Sequence, residues 1–203
     1  MATTTTADGL QTRQRILEAA SELFQTSGFE GTPVSKIAKA SGMTTANVYW
    51  HFPSKHDVLH HVLNAMYSDF FTELTASVPD GPASVRLDRL AHAYVTIQLR
   101  EATNPKVFTY ATLTASLPED AKRDLGRGER LFMEFLIGVL RQGENEGTFV
   151  FRDATVTAFA ISTLCEHVFT WYRPDGRLTT EEVGDIYSEL VLKMVSPRDS
   201  TGT

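Results

Sequence analysis

The chain has 203 residues, 42% hydrophobic and 22% charged, with one cysteine and a net charge of −6. This suits a globular protein with a real core, built as one large domain or as a small and a medium one. A lone Cys165 excludes an internal disulfide framework, and no apolar run approaches the ~20 residues that cross a bilayer, so no membrane partner is expected.

The start, MATTTTADG, lacks the basic-then-apolar order of a secretory signal, and a cytoplasmic location is expected. Acidic balance argues against nucleic acid until it is divided. Residues 1–60 carry five Lys/Arg and five Asp/Glu, so all the excess negative charge falls in residues 61–203. The first part can therefore meet a polyanion if Arg13, Arg15, Lys36, Lys39 and Lys55 lie on one side.

Residues 1–9 are Thr-rich and aperiodic, and read as a disordered arm. From Gln11, Ile16, Leu17, Ala20, Leu23 and Phe24 recur at helical spacing and Gly28 stops the run. In TPVSKIAKASGMTTANVYWHFPSK (32–55), Thr32 is expected to cap a helix with Pro33 at its first position, carrying Val34, Ile37 and Ala38 on one face. Gly42 ends it. Thr44 or Thr45 caps the next helix, which runs to Phe52, and Ser54 caps a third after Pro53. Two short helices around a glycine turn form the helix-turn-helix pattern that enters a major groove.

A long helix follows, with Val58, Leu59, Val62, Leu63, Met66, Phe70, Phe71 and Leu74 as its stripe, broken by Pro79, Gly81 and Pro82. Further helices are expected around Leu87–Leu99, from Pro105 through Phe108 to Leu113, from Glu119 to about Gly143, from Asp153 through Val156, Phe159 and Ala160 to Trp171, and from Thr179 to Met194. No hairpin pattern appears, so the class is all-α. The expected organisation is a helix-turn-helix domain over 10–56, a ligand-binding and dimerisation domain over 57–197, and a flexible tail over 198–203.

Candidate groove contacts are Thr44, Thr45, Ala46, Asn47, Tyr49, Trp50 and His51, with Val48 and Phe52 turned inward. Asn47 suits an adenine edge, and Thr or Ala methyls suit a thymine methyl. Trp50 fits either a sugar or a base edge. His51, His56, His60 and His61 invite a metal, but no Cys or carboxylate set completes the cluster, so neither metal nor cofactor is expected. Tyr94, Gln98, Phe108, Phe132, Phe135, Phe159, His167 and Trp171 mix apolar walls with a few polar groups, as a small-molecule cavity does; a solid core is the alternative. Phe159, Thr163, His167, Thr170, Ile186, Tyr187, Leu190 and Met194 suit a two-fold four-helix interface, or else close the monomer's own core.

Ile16-Leu17-x-Ala19-Ala20-x-x-Leu23-Phe24, Gly28-Phe29, Thr32-x-Val34, Ile37-Ala38, Ala40-x-Gly42 and Val48-Tyr49-x-His51-Phe52-x-x-Lys55 together resemble the TetR family of bacterial transcriptional repressors. The resemblance implies homodimers on palindromic operators, released by a small molecule in the C-terminal domain. It implies phosphate contacts for Thr32, Thr44, Tyr49, His51 and Lys55. Trp171-Tyr172-Arg173-Pro174-x-Gly176-x-Leu178-Thr179 also resembles a segment of actinobacterial members, some of which respond to acyl-CoA thioesters. The expectation is a ligand-responsive repressor binding double-stranded DNA as a homodimer through its last two long helices. Its rivals are a helical adaptor that does not bind DNA and a small-molecule enzyme, for which no nucleophile–base pair or phosphate loop is present.

Overall fold

The computed structural model describes the backbone of residues 2–102 and 110–197, and their side chains except at 2–7, 101–102, 111, 123–124 and 126–129. Among these residues every regular element is helical: α1 (Ala2–Ser27), α2 (Val34–Ser41), α3 (Thr45–His51), α4 (Lys55–Ala76), α5 (Ala83–Ala102), α6 (Tyr110–Thr114), α7 (Glu119–Asn145), α8 (Ala154–Glu166) and α9 (Thr180–Val195), with a 3-10 turn at Val168–Thr170. In place of the expected arm over 1–9, α1 begins at Ala2. No proline interrupts that stretch, and an interior glycine such as Gly9 costs a helix only about 1 kcal/mol.

Local chemistry sets the other ends. Gly28 closes α1 at φ 70° and returns its N–H to Phe24 at 3.0 Å. The side chain of Ser54 caps α4 by accepting from the Asp57 N–H at 3.0 Å. The Asp153 carboxylate caps α8 through Val156 N–H at 2.8 Å. At α9 the Thr179 hydroxyl and the Glu182 carboxylate satisfy each other's backbone N–H groups, a reciprocal capping box. Those bonds hold the Glu182 carboxyl below the usual range.

The chain divides into two compact units, and neither is continuous in sequence. One is built on α1–α3, α4 as far as Ser68, α6 and the start of α7. Its core joins Ile16, Ala20 and Phe24 of α1 to Ile37, Val48, Phe52, Leu59 and Leu63, and adds Leu113, Leu117 and Leu125. A three-helix unit is too small to bury much surface alone, and each added leucine contributes roughly 1.5–3 kcal/mol.

The other unit contains the rest of α4, α5, the rest of α7, α8 and α9. There α5 packs on α9 and α8, burying Leu87, Leu90, Ala91 and Val95 with Ile161, Cys165, Val183 and Val191.

Candidate nucleic-acid interface and effector region

Gly42 makes the turn between α2 and α3. It sits at φ 71°, and its N–H returns to the Ala38 and Lys39 carbonyls. Any side chain here is strained twice, by the left-handed backbone and by the Arg15 Nη2 that a Cβ would meet at 3.0 Å. Thr44 then caps α3, its hydroxyl accepting from Asn47 N–H at 3.1 Å. Val48 and Phe52 are buried, anchoring α3 by one face. The opposite face carries Thr45, Ala46, Asn47, Tyr49 and Trp50, all exposed, with Trp50 at 79% and Tyr49 at 49%. Large aromatics left this open on a helix otherwise pinned to a core constitute a contact surface. The ring of His51, half-buried, meets Trp50 edge-on at 4.6 Å.

The cations behind this face serve largely as struts. Arg13 of α1 donates to the His51 carbonyl at 3.0 Å and to His61 Nε2 at 2.6 Å, and its guanidinium lies 4.2 Å from the Phe52 ring centre. Arg15 donates to the Ser41 carbonyl at 2.8 Å. Lys36 donates to Ser27 Oγ at 3.1 Å. Lys55 donates to the Phe29 carbonyl at 2.9 Å, with its ammonium 4.0 Å above the Phe29 ring. Lys39 is exposed in the last turn of α2. Burial and then the Arg13 charge hold the His61 imidazolium below its ordinary range, while Asp57 pulls the other way.

In the second unit, Tyr94 and Phe132 are buried with ring centres 5.3 Å apart. Phe70 of α4 meets Tyr94 edge-on at 5.1 Å, and Phe71 meets Phe135 at 6.3 Å. The half-buried Gln98 lies one turn beyond Tyr94 on the same face of α5. Nearby, Arg86 lies 5.6 Å from the Phe135 ring centre. A separate polar groove of about 470 Å³ is lined by Glu73, Arg89, His92, Thr96, Arg100 and Glu181 among others.

Two family models match the sequence: bacterial regulatory proteins of the tetR family over residues 16–62, and the tetracyclin repressor-like C-terminal domain over residues 80–195. The chain belongs to the TetR family. It is a helix-turn-helix, DNA-binding transcriptional regulator of a family that is not enzymatic. Among its relatives, the transcriptional repressor KstR2 of Rhodococcus jostii is 27% identical over 92% of this chain and 93% of its own. A TetR/AcrR-family regulator from Thermobifida fusca is 27% identical, with a TM-score of 0.72 over 89% and 96% of the two chains. AibR, solved with isovaleryl coenzyme A and operator DNA, is 25% identical, with a TM-score of 0.67 over 92% and 98%.

Set against the TetR-type expectations, α3 and its cap present Thr44, Thr45, Ala46, Asn47, Tyr49 and Trp50 together. Thr32 does not join them. Its side chain is 0% exposed, and its hydroxyl donates backwards to the Gly28 carbonyl at 2.8 Å and the Leu23 carbonyl at 3.2 Å. Accordingly Pro33, not Thr32, is the N-cap of α2. The Lys55 ammonium is held on Phe29, leaving it two N–H groups at most for a phosphate.

Of the expected ligand residues, Tyr94, Phe132 and Phe135 come together and Gln98 adjoins them, while Phe108 lies outside the described residues. Phe159, His167 and Trp171 do not line that cluster. Phe159 is 58% and Trp171 49% exposed, and His167 is exposed at the end of α8. The reason is that α8 is apolar on several sides, so periodicity alone defines no unique inward face. Its core side is Ala158, Ile161 and Cys165. Trp171 instead stacks on Tyr187 at 6.4 Å and donates its indole N–H to the Tyr187 hydroxyl at 3.2 Å. Arg13 and Arg15 act across 38 and 26 residues, so no local pattern marks their roles. Among the described residues no group of His, Cys, Asp and Glu is arranged to hold a metal.

Proposed function

We propose that the chain is a ligand-responsive, cytoplasmic repressor that binds a palindromic operator as a homodimer and leaves it when a hydrophobic effector binds. The observation that carries this reading is the face of α3, where Asn47, Tyr49 and Trp50 stand exposed while Val48 and Phe52 lock the helix from behind. Bases are read from Thr45, Ala46, Asn47 and Trp50, and phosphates by Thr44, Tyr49, His51 and the remaining donors of Lys55.

Dimerisation is supported by exposed apolar residues on both late helices: Val156 and Phe159 on α8, and Ile186, Leu190 and Met194 on α9. Two such stripes per chain suit a two-fold four-helix contact. Half-sites about one helical turn apart, ~34 Å, fit a paired reader.

An acyl-CoA thioester is the effector class we favour, because AibR was solved with isovaleryl coenzyme A and the Phe70, Phe71, Tyr94, Phe132 and Phe135 rings offer an acyl chain apolar walls. Helix α4 carries core residues of the reading head at one end and Phe70 and Phe71 at the other. An effector that repacks those two rings biases the whole helix, which gives the two-state coupling an allosteric repressor needs.

Fluorescence anisotropy on a duplex selected by the protein from a random library tests both halves. Asn47→Ala combined with Tyr49→Ala is expected to lower affinity at least ~10-fold, since the lost base contact of Asn47 is worth ~1–3 kcal/mol and the lost phosphate contact of Tyr49 adds to it. Back-titration with straight and branched acyl-CoA thioesters is expected to displace the unsubstituted protein. Failure to select any duplex returns the adaptor reading, and displacement by no thioester removes that effector class.

A further inference from the structure

Arg13 ties three parts of the reading head together. It starts from α1, holds the backbone carbonyl of His51 at the end of α3, and bonds His61 on α4 at 2.6 Å. Its guanidinium also covers the Phe52 ring at 4.2 Å, and that same ring meets His61 at 5.5 Å. The geometry fixes the chemistry of the Arg13–His61 contact. A guanidinium has donors and no acceptor, so His61 Nε2 must offer its lone pair. His61 is therefore the neutral tautomer with its proton on Nδ1, and a protonated ring cannot occupy this position.

We propose that Arg13 is a positioning residue for operator binding, and that protonation of His61 frees it from the His51 carbonyl and so weakens binding in acid. The inference rests on the chain binding DNA through α3. Among the described residues, Arg13 from α1 opposes the charging of His61, as does His60 on α4, and Asp57 at 4.0 Å on α4 favours it. Burial adds to the opposition, so the transition falls below the ordinary imidazole value of 6.5. Below it, each pH unit costs at most about tenfold in affinity per reading head, the limit for one coupled proton. The sign is diagnostic: added positive charge beside a phosphate backbone strengthens binding in acid, whereas release of the strut weakens it.

The test is anisotropy on the selected duplex from pH 7.5 to 5.5 at constant ionic strength, with the intact chain. The unsubstituted protein is expected to lose affinity as pH falls. His61→Gln supplies an amide oxygen that accepts from Arg13 and does not titrate, so it is expected to abolish that fall. The control His60→Gln is expected to keep it. A long-range proton–nitrogen spectrum at pH 7.5 should show His61 Nε2 unprotonated. Affinity that stays level or rises in acid, a fall that persists in His61→Gln, or a protonated Nε2 would each overturn the proposal. A duplex selected at pH 7.5 but bound without pH dependence defeats this inference alone. Selection of no duplex defeats the DNA-binding reading as well.

Discussion

Cys165 is buried on α8, and desolvation pushes its thiol up to about 12. The thiolate, which is the reactive form, is then nearly absent at neutral pH. Native protein at pH 8 is accordingly expected to resist an aromatic disulfide reagent, and to react stoichiometrically only across the urea unfolding transition. Rapid labelling in the native state would contradict the burial. Cys165 packs there as the small hydrophobe that a free cysteine usually is. The role of the Thr32 hydroxyl was not legible in the sequence. A threonine before a proline at a helix start has two uses for its hydroxyl, forward as a cap or backward to the preceding turn. The choice depends on where Leu23 and Gly28 lie in space. Lys55 illustrates the same limit, since its partner is a backbone carbonyl 26 residues earlier.

The final turns of α7 show what a glycine means within an element. The sequence suggests Gly143 as the stop, yet α7 continues to Asn145, and the positive φ of 70° that ends a helix is found at Gly147. Gly143 is required for a different reason: a Cβ there would stand 1.9 Å from the buried Phe149 ring. Gly143→Ala gains up to about 1 kcal/mol of helix propensity. Against this stands displacement of a buried aromatic ring, and losing such a ring altogether costs ~3–5 kcal/mol. A net loss of about 2 kcal/mol is expected in urea melts, and a stabilised variant would refute the contact. Elements with a local code were read well: the helix start at Thr179, the cap offered by Thr44 or Thr45, which falls to Thr44, and the inward pair Val48 and Phe52. On α8 the sequence offered Phe159 and His167 either to a cavity or to a dimer surface; both stand exposed, while Ala158, Ile161 and Cys165 take the inward positions.

For the whole molecule, the proposed dimer rests on the exposed apolar residues of α8 and α9. Phe159→Glu together with Leu190→Glu places charges on both stripes without touching the buried core. Sedimentation is expected to show a dimer for the unsubstituted chain and a monomer for this variant, and duplex affinity should fall with it. A variant that stays dimeric would move the interface elsewhere. The all-helical class and the reading head were legible because periodicity and caps are local. The composition of the units was not, because Leu113, Leu117 and Leu125 join a core whose other members end at Leu63.

That last arrangement bears on how such a protein can be inherited in pieces. The core beneath the reading head draws on two separated stretches of chain, and α4 and α7 each supply residues to both units. A single recombination crossover therefore cannot exchange the DNA-reading part for another and leave either core whole. New specificity for DNA is more readily reached by point substitution on the open face of α3 than by shuffling gene segments.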